Sequence, residues 1–349
     1  MKKAKVAIIL LCFNEKHFLK ECLDSLINQT YKNITIYLVD NNSNDDSVVY
    51  VKKNYPMVSV IRNSSNIGYA KGNNIGIEKA FKEGADFCVA INIDTKADKK
   101  LVNELLKTYY NKSKSNVKLG LIQPVVLLYD KPNLLNTAGN AIHFLGFGYC
   151  KDYLKNYKPF KSDREIISVS GACLFISKEY FVSVGKFDED FFLYNEDQNL
   201  SWRGALKGYH HFLSKKAIIY HKYNFNKQHS LKMYHSEKNR LMILLENYSL
   251  KTLLLLFPIF IINELFILVY SITSGWILLK LKSYLYIFRN FKTISAKRSK
   301  IQSSRLVVDR KIIEAFDSTL DFVVFNSYIV RHIVNPIFRT YYNFILQLT

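Results

Sequence analysis

Short apolar runs that stop at acidic, amide or histidine side chains recur along the chain, and this pattern constrains the fold more than any other. The runs that end at Asp40, at 92–94 and at His221 each have the length of a buried strand. Stretches with the apolar spacing of helices lie between them or beside them, at 16–29, 70–83 and 98–110. Strands that alternate with helices at this spacing predict an α/β domain with a mostly parallel sheet.

The first polar strand end is the segment VDNNSNDDS at 39–47. Open α/β sheets bind ligands at the carboxyl ends of their strands. Asp40 and Asp45 could therefore hold the base and the ribose of a nucleotide through hydrogen bonds. The alternative is a strand-to-helix turn in which these side chains only cap backbone N–H groups.

The second and third strand ends suggest a metal site. Asn92 and Asp94 are two residues apart, so period-two spacing places them on one side of the strand. Oxygen ligands in a strand-end crevice suit Mg²⁺ or Mn²⁺ carrying a diphosphate. His221 follows a later strand and could complete the site as a neutral imidazole, although a lone histidine is more often structural.

Adjacent carboxylates provide the candidate base. The segment FDEDFFLYNEDQNLSWR at 187–203 places Glu196 beside Asp197 among aromatic residues. Like charge and partial burial both raise a carboxyl pKa toward the range of a useful general base. The alternative is an acidic helix start, which suits the helix dipole.

The order of these segments resembles the family 2 glycosyltransferases with a GT-A fold, and their rhamnosyltransferase-like branch most closely. The resemblance covers about residues 4–245. It rests on ILLCFNE (9–15), VDNNSND (39–45), NIGYAKGNNIGI (66–77), NID (92–94), AGN (138–140), SGACLFISKEYFVSVGKFDEDFFLYNED (170–197) and the late histidine at 221. Two positions depart from the family pattern, because Asn92 opens a metal motif that is often Asp-x-Asp and Asn199 stands where a further Asp is often found.

The resemblance implies a Rossmann-like, nucleotide-sugar-binding GT-A sheet flanked by helices, with roles for named residues. Asp197 would be the catalytic base, with Glu196 as the next candidate. Asp94 would hold Mg²⁺ or Mn²⁺, with His221 as a candidate second ligand. The residues implied to bind the nucleotide or the donor are Asn14, Glu15, Asp40, Asn42, Asp45, Gly68, Asn73, Asn74, Asn92, Gly171 and Ala172.

The implied chemistry is a single displacement with inversion at the anomeric carbon. An acceptor hydroxyl becomes a good nucleophile when a carboxylate removes its proton, and a metal neutralises the charge on the departing nucleoside diphosphate. Branch resemblance favours rhamnose from a dTDP donor, and UDP- or GDP-sugars remain open. The acceptor would be lipid-linked or a polysaccharide, in the synthesis of cell-surface glycans.

The composition changes near residue 250, so we expect a catalytic domain at 1–245 and a helical membrane-attachment region at 246–349. The stretch 252–279 contains no Lys or Arg, and as one helix it would be about 42 Å long. Glu264 near its middle is costly in lipid, and Pro258 could break the helix. A membrane span, a hairpin in the membrane interface and a buried helix or homodimer contact all remain open.

A segment rich in Lys and Arg, here called the basic flank, follows this stretch from Lys280 to Lys311. Aromatic residues are interleaved with its cations, and Asp309 is the acidic residue among them. Such a flank suits the anionic surface of a membrane, and we expect attachment to the cytoplasmic face. The residues 320–348 add a second apolar segment for a membrane or dimer contact. The basic residues are Lys280, Lys282, Arg289, Lys292, Lys297, Arg298, Lys300, Arg305, Arg310 and Lys311.

Two other classes of protein compete with a membrane-associated enzyme. The net charge of +20 could suit nucleic acid, but no nucleic-acid-binding motif is recognisable, so we expect no nucleic-acid partner. A pseudoenzyme would keep the fold without catalysis, which the intact Asp94 and Asp197 argue against. Five scattered cysteines indicate a reducing compartment.

Overall fold

The computed structural model describes residues 3–223, 229–321 and 328–349. The strands are β1 Val6–Cys12, β2 Ile34–Asp40, β3 Ser59–Arg62, β4 Phe87–Asn92, β5 Thr95–Ala97, β6 Lys118–Leu128, β7 Leu135–Thr137, β8 Asn140–Ile142, β9 Gly148–Cys150, β10 Arg164–Ile166, β11 Cys173–Ser177 and β12 Tyr209–His221. The helices are α1 Lys16–Ile27, α2 Ser47–Asn54, α3 Gly68–Lys82, α4 Leu101–Lys112, α5 Lys178–Val184, α6 Glu196–Leu206, α7 His229–Asn247, α8 Leu250–Thr273, α9 Ile277–Arg289, α10 Phe291–Ser303, α11 Asp309–Ile313 and α12 Asn335–Leu348.

The predicted α/β architecture is confirmed, with a central sheet in the order β10-β12-β6-β11-β4-β1-β2-β3. The strands β3, β2, β1 and β4 are parallel, whereas β11 runs antiparallel to both β4 and β6. Since β6 and β12 pair in parallel and run in the same direction as β4, the expectation of a mostly parallel sheet is confirmed, and β11 and β10 are the reversed strands of this order. The reversed β11 begins where β4 ends, and Asn92 N donates to Ala172 O at 2.9 Å. The reversal thus brings Gly171 and Ala172 to the edge that carries the polar strand ends.

Two apolar layers cover the faces of this sheet. Alternate residues of β1 enter different clusters, with Ile8 and Leu10 in one and Ala7 and Ile9 in the other. Strands buried on both faces read as continuous apolar runs, which explains the pattern in the sequence. Helix α3 lies unusually close to the sheet, because a Cβ at Gly72 would be 2.3 Å from Leu11 Cδ1.

A further hydrophobic cluster joins the end of the sheet domain to the C-terminal helices. Its centre is the fully buried Trp202 of α6, which packs edge-on against Tyr248 at 4.7 Å and Phe316 at 4.6 Å between ring centroids. The cluster also contains residues of the β8–β9 hairpin and of α7, α8, α10 and α12. The boundary at 245 stays a prediction, and a chain cut there would lose a large part of this cluster.

Helix α8 is, among the described residues, the one helix long and apolar enough to cross a membrane, with a mean hydropathy of 2.5 over its most apolar window. It continues through Pro258 and ends at Thr273. Gly275 then turns the chain with φ +74°, before α9. The expectations of a break at Pro258 and of one 28-residue helix are wrong, since a left-handed glycine after the helix sets its end.

Four buried charges connect α7, α8 and α9. Arg240 and Lys280 each pair with both Glu237 and Glu264. Tyr284 Oη adds a hydrogen bond to Glu264 Oε2 at 2.6 Å. Glu264 is therefore held by two cations of the protein, which offsets the desolvation of its charge. The predicted basic flank accordingly does not all face outward, because Lys280 is fully buried.

Other cations of the basic flank also bind the protein. Lys297 pairs with Asp188 at 2.5 Å and Asp190 at 2.6 Å. Arg298 donates to the carbonyl of Tyr248 at 2.6 Å, and Arg305 pairs with Asp309. Of the second apolar segment, 322–327 lies outside the described residues. The helix α12 packs against α8, where Tyr341 Oη donates to Leu255 O at 2.7 Å.

Candidate active site

A cavity of about 270 Å³ lies at the strand-end edge of the sheet, between the β8–β9 hairpin, the start of β11, α6 and α7. The residues that line it extend along the chain from Tyr69 to Ser236. The predicted site residues that line it are Asn92, Gly171, Ala172, Glu196, Asp197 and His221.

Asp197 is partly exposed to this cavity in the first turn of α6. Its Oδ2 accepts from Gly171 N at 2.7 Å, and its Oδ1 accepts from Gln198 N at 2.7 Å. Burial raises the pKa of Asp197, and the backbone hydrogen bonds oppose this without cancelling it. A fixed carboxylate with a raised pKa that faces a cavity has the properties of a general base.

Glu196 differs from its neighbour because it is only 5% exposed. Its Oε2 has no hydrogen-bond partner among the described residues. Burial first, and then the charge of Asp197, raise the pKa of Glu196 well above its ordinary value. Of the two carboxyl groups, Glu196 therefore has the stronger tendency to bind a proton.

Tyr69 is a cavity residue that the sequence analysis missed. Its hydroxyl donates to Gly171 O at 2.6 Å. Burial, and then the charges of Glu196 and Asp197, raise the pKa of Tyr69, so it remains a hydrogen-bond donor. The sequence feature that could have identified Tyr69 is its place in the NIGYAKGNNIGI motif, directly after Gly68.

The loop that leads into α6 is strained. Phe192, Tyr194 and Asn195 all have left-handed backbone, with φ of 58°, 68° and 63°. Such non-glycine residues cost on the order of 1 kcal/mol each and persist only when their surroundings hold them. On one side Phe192 O accepts from Tyr69 N at 2.6 Å, and a Cβ at Gly68 would lie 2.6 Å from the same oxygen. A glycine at 68 thus permits the close approach of this loop to α3.

Asp94 and His221 come together as predicted. Asp94 Oδ1 lies 3.3 Å from His221 Nε2. On the other side of the ring, His221 Nδ1 lies 2.8 Å from Asn136 Oδ1, an acceptor that places the ring proton on Nδ1. A histidine oriented in this way presents its Nε2 lone pair beside the carboxylate, as metal ligands do.

These donors suit a metal that shares its coordination with a ligand. The described residues contain no group of three His, Cys, Asp or Glu side chains that could hold a metal by themselves. One carboxylate and one imidazole would leave most positions on Mg²⁺ or Mn²⁺ for diphosphate oxygens and water. Asn92 lines the cavity next to this pair and can supply a further oxygen.

Asp40 and Asp45 lie at the same edge of the sheet but are engaged by the protein. Asp40 is fully buried, accepts from Ser43 N at 3.2 Å and lies 3.5 Å from Arg62 Nε. Asp45 accepts from Lys16 N at 2.8 Å and from Ser47 Oγ at 2.5 Å. Burial raises the pKa of Asp45, but these hydrogen bonds outweigh it and leave the pKa below its ordinary value.

Three predicted donor residues lie around the turns after β1 and β2. Asn14 and Asn42 are exposed and left-handed, with φ of 56° and 67°. Asn14 Oδ1 accepts from Asn44 N at 2.9 Å. Glu15 precedes α1 without a side-chain cap. Asn14 and Asn42 are therefore accessible to a nucleotide, Glu15 is half-buried, and the donor contacts of all three remain predictions.

Asn73 and Asn74 are buried in α3 and their side chains bond within the protein. Asn74 forms a two-way amide pair with Phe187, donating to its carbonyl at 2.9 Å and accepting from its N–H at 3.1 Å. Asn73 Nδ2 donates to Tyr69 O at 3.0 Å. Because both side chains are buried, contact of either one with a donor would require the surrounding structure to move.

Lys232 of α7 also lines the cavity and was missed from the sequence. Burial lowers its pKa to about 8. It lies on the helix that follows the described strand β12, in a segment without a recognisable motif. An ammonium group beside a predicted diphosphate site has the charge to bind it.

This chain is similar to known proteins in both sequence and structure. Residues 7–161 match the family described as Glycosyl transferase family 2. N-acetylglucosaminyl-diphospho-decaprenol L-rhamnosyltransferase of Mycobacterium tuberculosis is 25% identical over 233 residues, covering 62% of this chain and 75% of that protein. Glycosyltransferase GlyA of Streptococcus pneumoniae is 35% identical over 80 residues, covering 23% of this chain and 11% of that protein.

A solved structure shares the fold. GalNAc-T7, crystallised with UDP, GalNAc and Mn²⁺, superimposes with a TM-score of 0.56 at 16% identity. The match covers 69% of this chain and 48% of that one, so this chain corresponds to about half of that protein. The predicted GT-A architecture is thereby confirmed.

Proposed function

Because residues 7–161 match glycosyltransferase family 2, we propose that this protein transfers a sugar from a nucleoside-diphosphate donor to an acceptor hydroxyl, with inversion. The observation that carries the proposal is one cavity that has Asp197, the proposed base, on one side and the candidate metal ligands Asp94 and His221 on the other. Asp197 and His221 both line it, and His221 lies 3.3 Å from Asp94.

In the proposed reaction Asp197 accepts the proton of the acceptor hydroxyl. The acceptor oxygen then forms a bond to the anomeric carbon as the bond from that carbon to the diphosphate oxygen breaks. Attack from the face opposite the leaving group inverts the anomeric carbon. Asp94 and His221 would hold Mg²⁺ or Mn²⁺, which would offset the negative charge on the diphosphate. Lys232 would add a positive charge in the same cavity.

Rhamnose is the sugar that we propose, with a dTDP donor. The support is the 25% identity to the mycobacterial L-rhamnosyltransferase, which extends over 75% of that protein. UDP- and GDP-sugars are the competing donors. Asp40 is the predicted contact of the nucleotide base, and its role requires the Ser43 and Arg62 contacts to rearrange or to share the carboxylate.

A lipid-linked acceptor is favoured by a second cavity, in the C-terminal region. This cavity of about 820 Å³ lies between α7, α8 and α9 and is lined mainly by Leu, Ile and Phe side chains. Arg289 and Lys292, both exposed, also line it. An apolar chain with an anionic head group matches this combination. We therefore propose attachment to the cytoplasmic face of the membrane and a role in synthesis of cell-surface glycan.

The transfer test uses the purified full-length chain in detergent. It is incubated with Mn²⁺, with dTDP-rhamnose, UDP-sugars or GDP-sugars, and with either a polyprenyl-diphosphate glycolipid or a soluble glycoside. We expect release of nucleoside diphosphate and an inverted product with one donor, with preference for the lipid acceptor. Nucleotide binding without any transfer would indicate a pseudoenzyme, and RNA binding without turnover would indicate the nucleic-acid class.

The membrane proposal has its own test. Flotation with anionic liposomes should carry the full-length chain, and charge reversal at Arg289 and Lys292 should weaken this, since each cation adds about 1 kcal/mol near an anionic surface. A chain that is soluble without detergent, stays unbound and forms dimers by light scattering would instead assign the exposed face of α8 to a homodimer contact.

A further inference from the structure

The carbonyl groups of the strained loop before α6 converge on one side chain of α7. Asn239 is fully buried. Its Nδ2 lies 3.0 Å from Phe191 O, 2.9 Å from Leu193 O and 2.6 Å from Tyr194 O. Asn239 follows the loop by 45 to 48 positions, so the contact is tertiary.

The chemistry of these partners fixes the orientation of the Asn239 amide. All three are carbonyl oxygens, which can only accept, so the NH₂ group must face them and share its two N–H bonds among them. Asn239 Oδ1 has no hydrogen-bond partner among the described residues. Buried carbonyls in irregular backbone need donors from elsewhere, and Asn239 supplies them.

The neighbours of Asn239 hold the same loop. Lys238 Nζ donates to Asp190 O. The His235 ring stacks on Phe192 with 5.1 Å between centroids. With Phe192 O bonded to Tyr69 N on the opposite side, the loop is clamped between α3 and α7.

We propose that Asn239 is a positioning residue for catalysis, which holds the left-handed loop so that Asp197 enters α6 in the orientation needed for proton transfer. The loop continues directly into Asn195, Glu196 and Asp197, and Gly171 N receives the Asp197 carboxylate at 2.7 Å. Without Asn239 these carbonyls would lose its N–H donors, Phe191 O would keep the bond from Leu193 N at 2.6 Å, and the backbone that precedes the base could relax. This inference rests on the proposed function, in which Asp197 is the base.

Two substitutions separate hydrogen bonding from packing. Asn239→Asp keeps the shape of the side chain but replaces the NH₂ donors with an oxygen, and Asn239→Ala removes the group. We expect kcat to fall roughly 100-fold in both folded variants, because small displacements of a catalytic group have effects of this size. The donor KM should stay within about twofold, because the strand-end residues are untouched.

Gln302→Ala is the matched control. Gln302 Nε2 also donates to two backbone carbonyls, Glu246 O at 3.0 Å and Asn247 O at 2.9 Å, but these lie at the far end of α7. It should lower the melting temperature without the loss of kcat. A loss of kcat in Gln302→Ala equal to that in Asn239→Ala would mean general destabilisation and would overturn the proposal.

Amide hydrogen exchange tests the loop without relying on turnover. In the wild-type chain the amides of 191–195 should be protected, and in Asn239→Asp they should exchange faster while β1 and β4 remain unchanged. Unprotected wild-type amides would overturn the proposal even if neither variant folds. Near-normal kcat in Asn239→Asp would do the same, whereas a wild-type chain with a protected loop and no transferase activity would count against the proposed function alone.

Discussion

Two acidic regions lie at the same edge of the sheet and differ in how their carboxylates are satisfied. At the β2 turn, both oxygens of Asp45 accept hydrogen bonds, and its pKa is lowered. At the start of α6, Glu196 has an oxygen without a partner among the described residues, and the pKa values of Glu196 and Asp197 are raised. A carboxylate saturated by the protein stabilises the fold, whereas one that is incompletely satisfied beside a cavity is available for chemistry.

The largest effect is expected at the start of α6, where the carboxylates are incompletely satisfied. Asp197→Asn should lower kcat by about 10²- to 10⁴-fold, because an amide cannot accept the acceptor proton. Nucleotide affinity, measured by calorimetry with Mn²⁺, should change little. Glu165→Gln is the control, since Glu165 is an exposed acid on β10 paired with His210. If Asp197→Asn keeps near-normal transfer, Glu196 becomes the candidate base.

Removing the candidate metal ligands should have the next largest effect. Asp94→Ala and treatment with EDTA should each abolish most transfer, and added Mn²⁺ should restore only the chelated wild-type enzyme. Thermal shift with nucleoside diphosphate provides a second readout, since a ligand at 100 times its Kd stabilises by about 2.7 kcal/mol. Full activity in EDTA would exclude the metal from the reaction and leave the contact with His221 as a structural one.

Glu196→Gln should change the pH dependence of stability. The folded-state pKa of Glu196 is raised above its ordinary value of 4.5, so wild-type stability is fully present below that pH and is lost as the pH rises toward the folded pKa. Relative to the wild type, the variant should gain up to about 1.4 kcal/mol per pH unit in this window. Urea unfolding at several pH values measures this gap, which is the difference in the free energy of unfolding between Glu196→Gln and the wild type. A gap that does not vary with pH would mean that Glu196 is ionised in the folded protein.

The smallest effect is expected at Asp45, both oxygens of which already accept hydrogen bonds from the protein. Asp45→Ala should destabilise the fold by about 1 kcal/mol through loss of backbone caps. Because the pKa of Asp45 is lowered from 3.8, the difference should persist at neutral pH and close as the pH falls through the folded pKa. Asp46→Asn is the control, at a neighbouring exposed side chain whose left-handed backbone (φ 59°) asparagine tolerates. A raised donor KM without any loss of stability would make Asp45 a nucleotide ligand and weaken the contrast between the two regions.

The sheet and half of the cavity could be predicted because their signals are local. The buried strands are apolar runs, and the residues at their ends, such as Asp94 and His221, are visible as interruptions. Parallel strands then bring those ends to one edge. The reversed direction of β11 could not be read in this way, because an apolar run has the same composition in either direction.

The contacts that hold the loop before Asp197, the proposed base, could not be predicted, because they join segments that are distant in the sequence. Asn239 is an ordinary polar residue in a helix until the fold places three carbonyls around its amide. Tyr69 likewise acquires its role only beside Gly171. In the C-terminal region, composition predicted helices correctly. It could not reveal that Lys280 turns inward to pair with Glu264.

The ion pairs of Lys297 also have a consequence for how the enzyme is made. Asp188 lies 109 residues before Lys297, and Asp190 lies 107 before it. During synthesis the strained loop before α6 therefore leaves the ribosome well before α7 and α10, the two helices that hold it. The chain can complete its sheet while the loop still lacks those partners, so we expect the strand-end residues of the cavity to reach their places earlier than Asp197, the proposed base. Nascent chains that end before α7 should already contain the strand-end residues, including His221, and still lack both helices that hold the loop before Asp197.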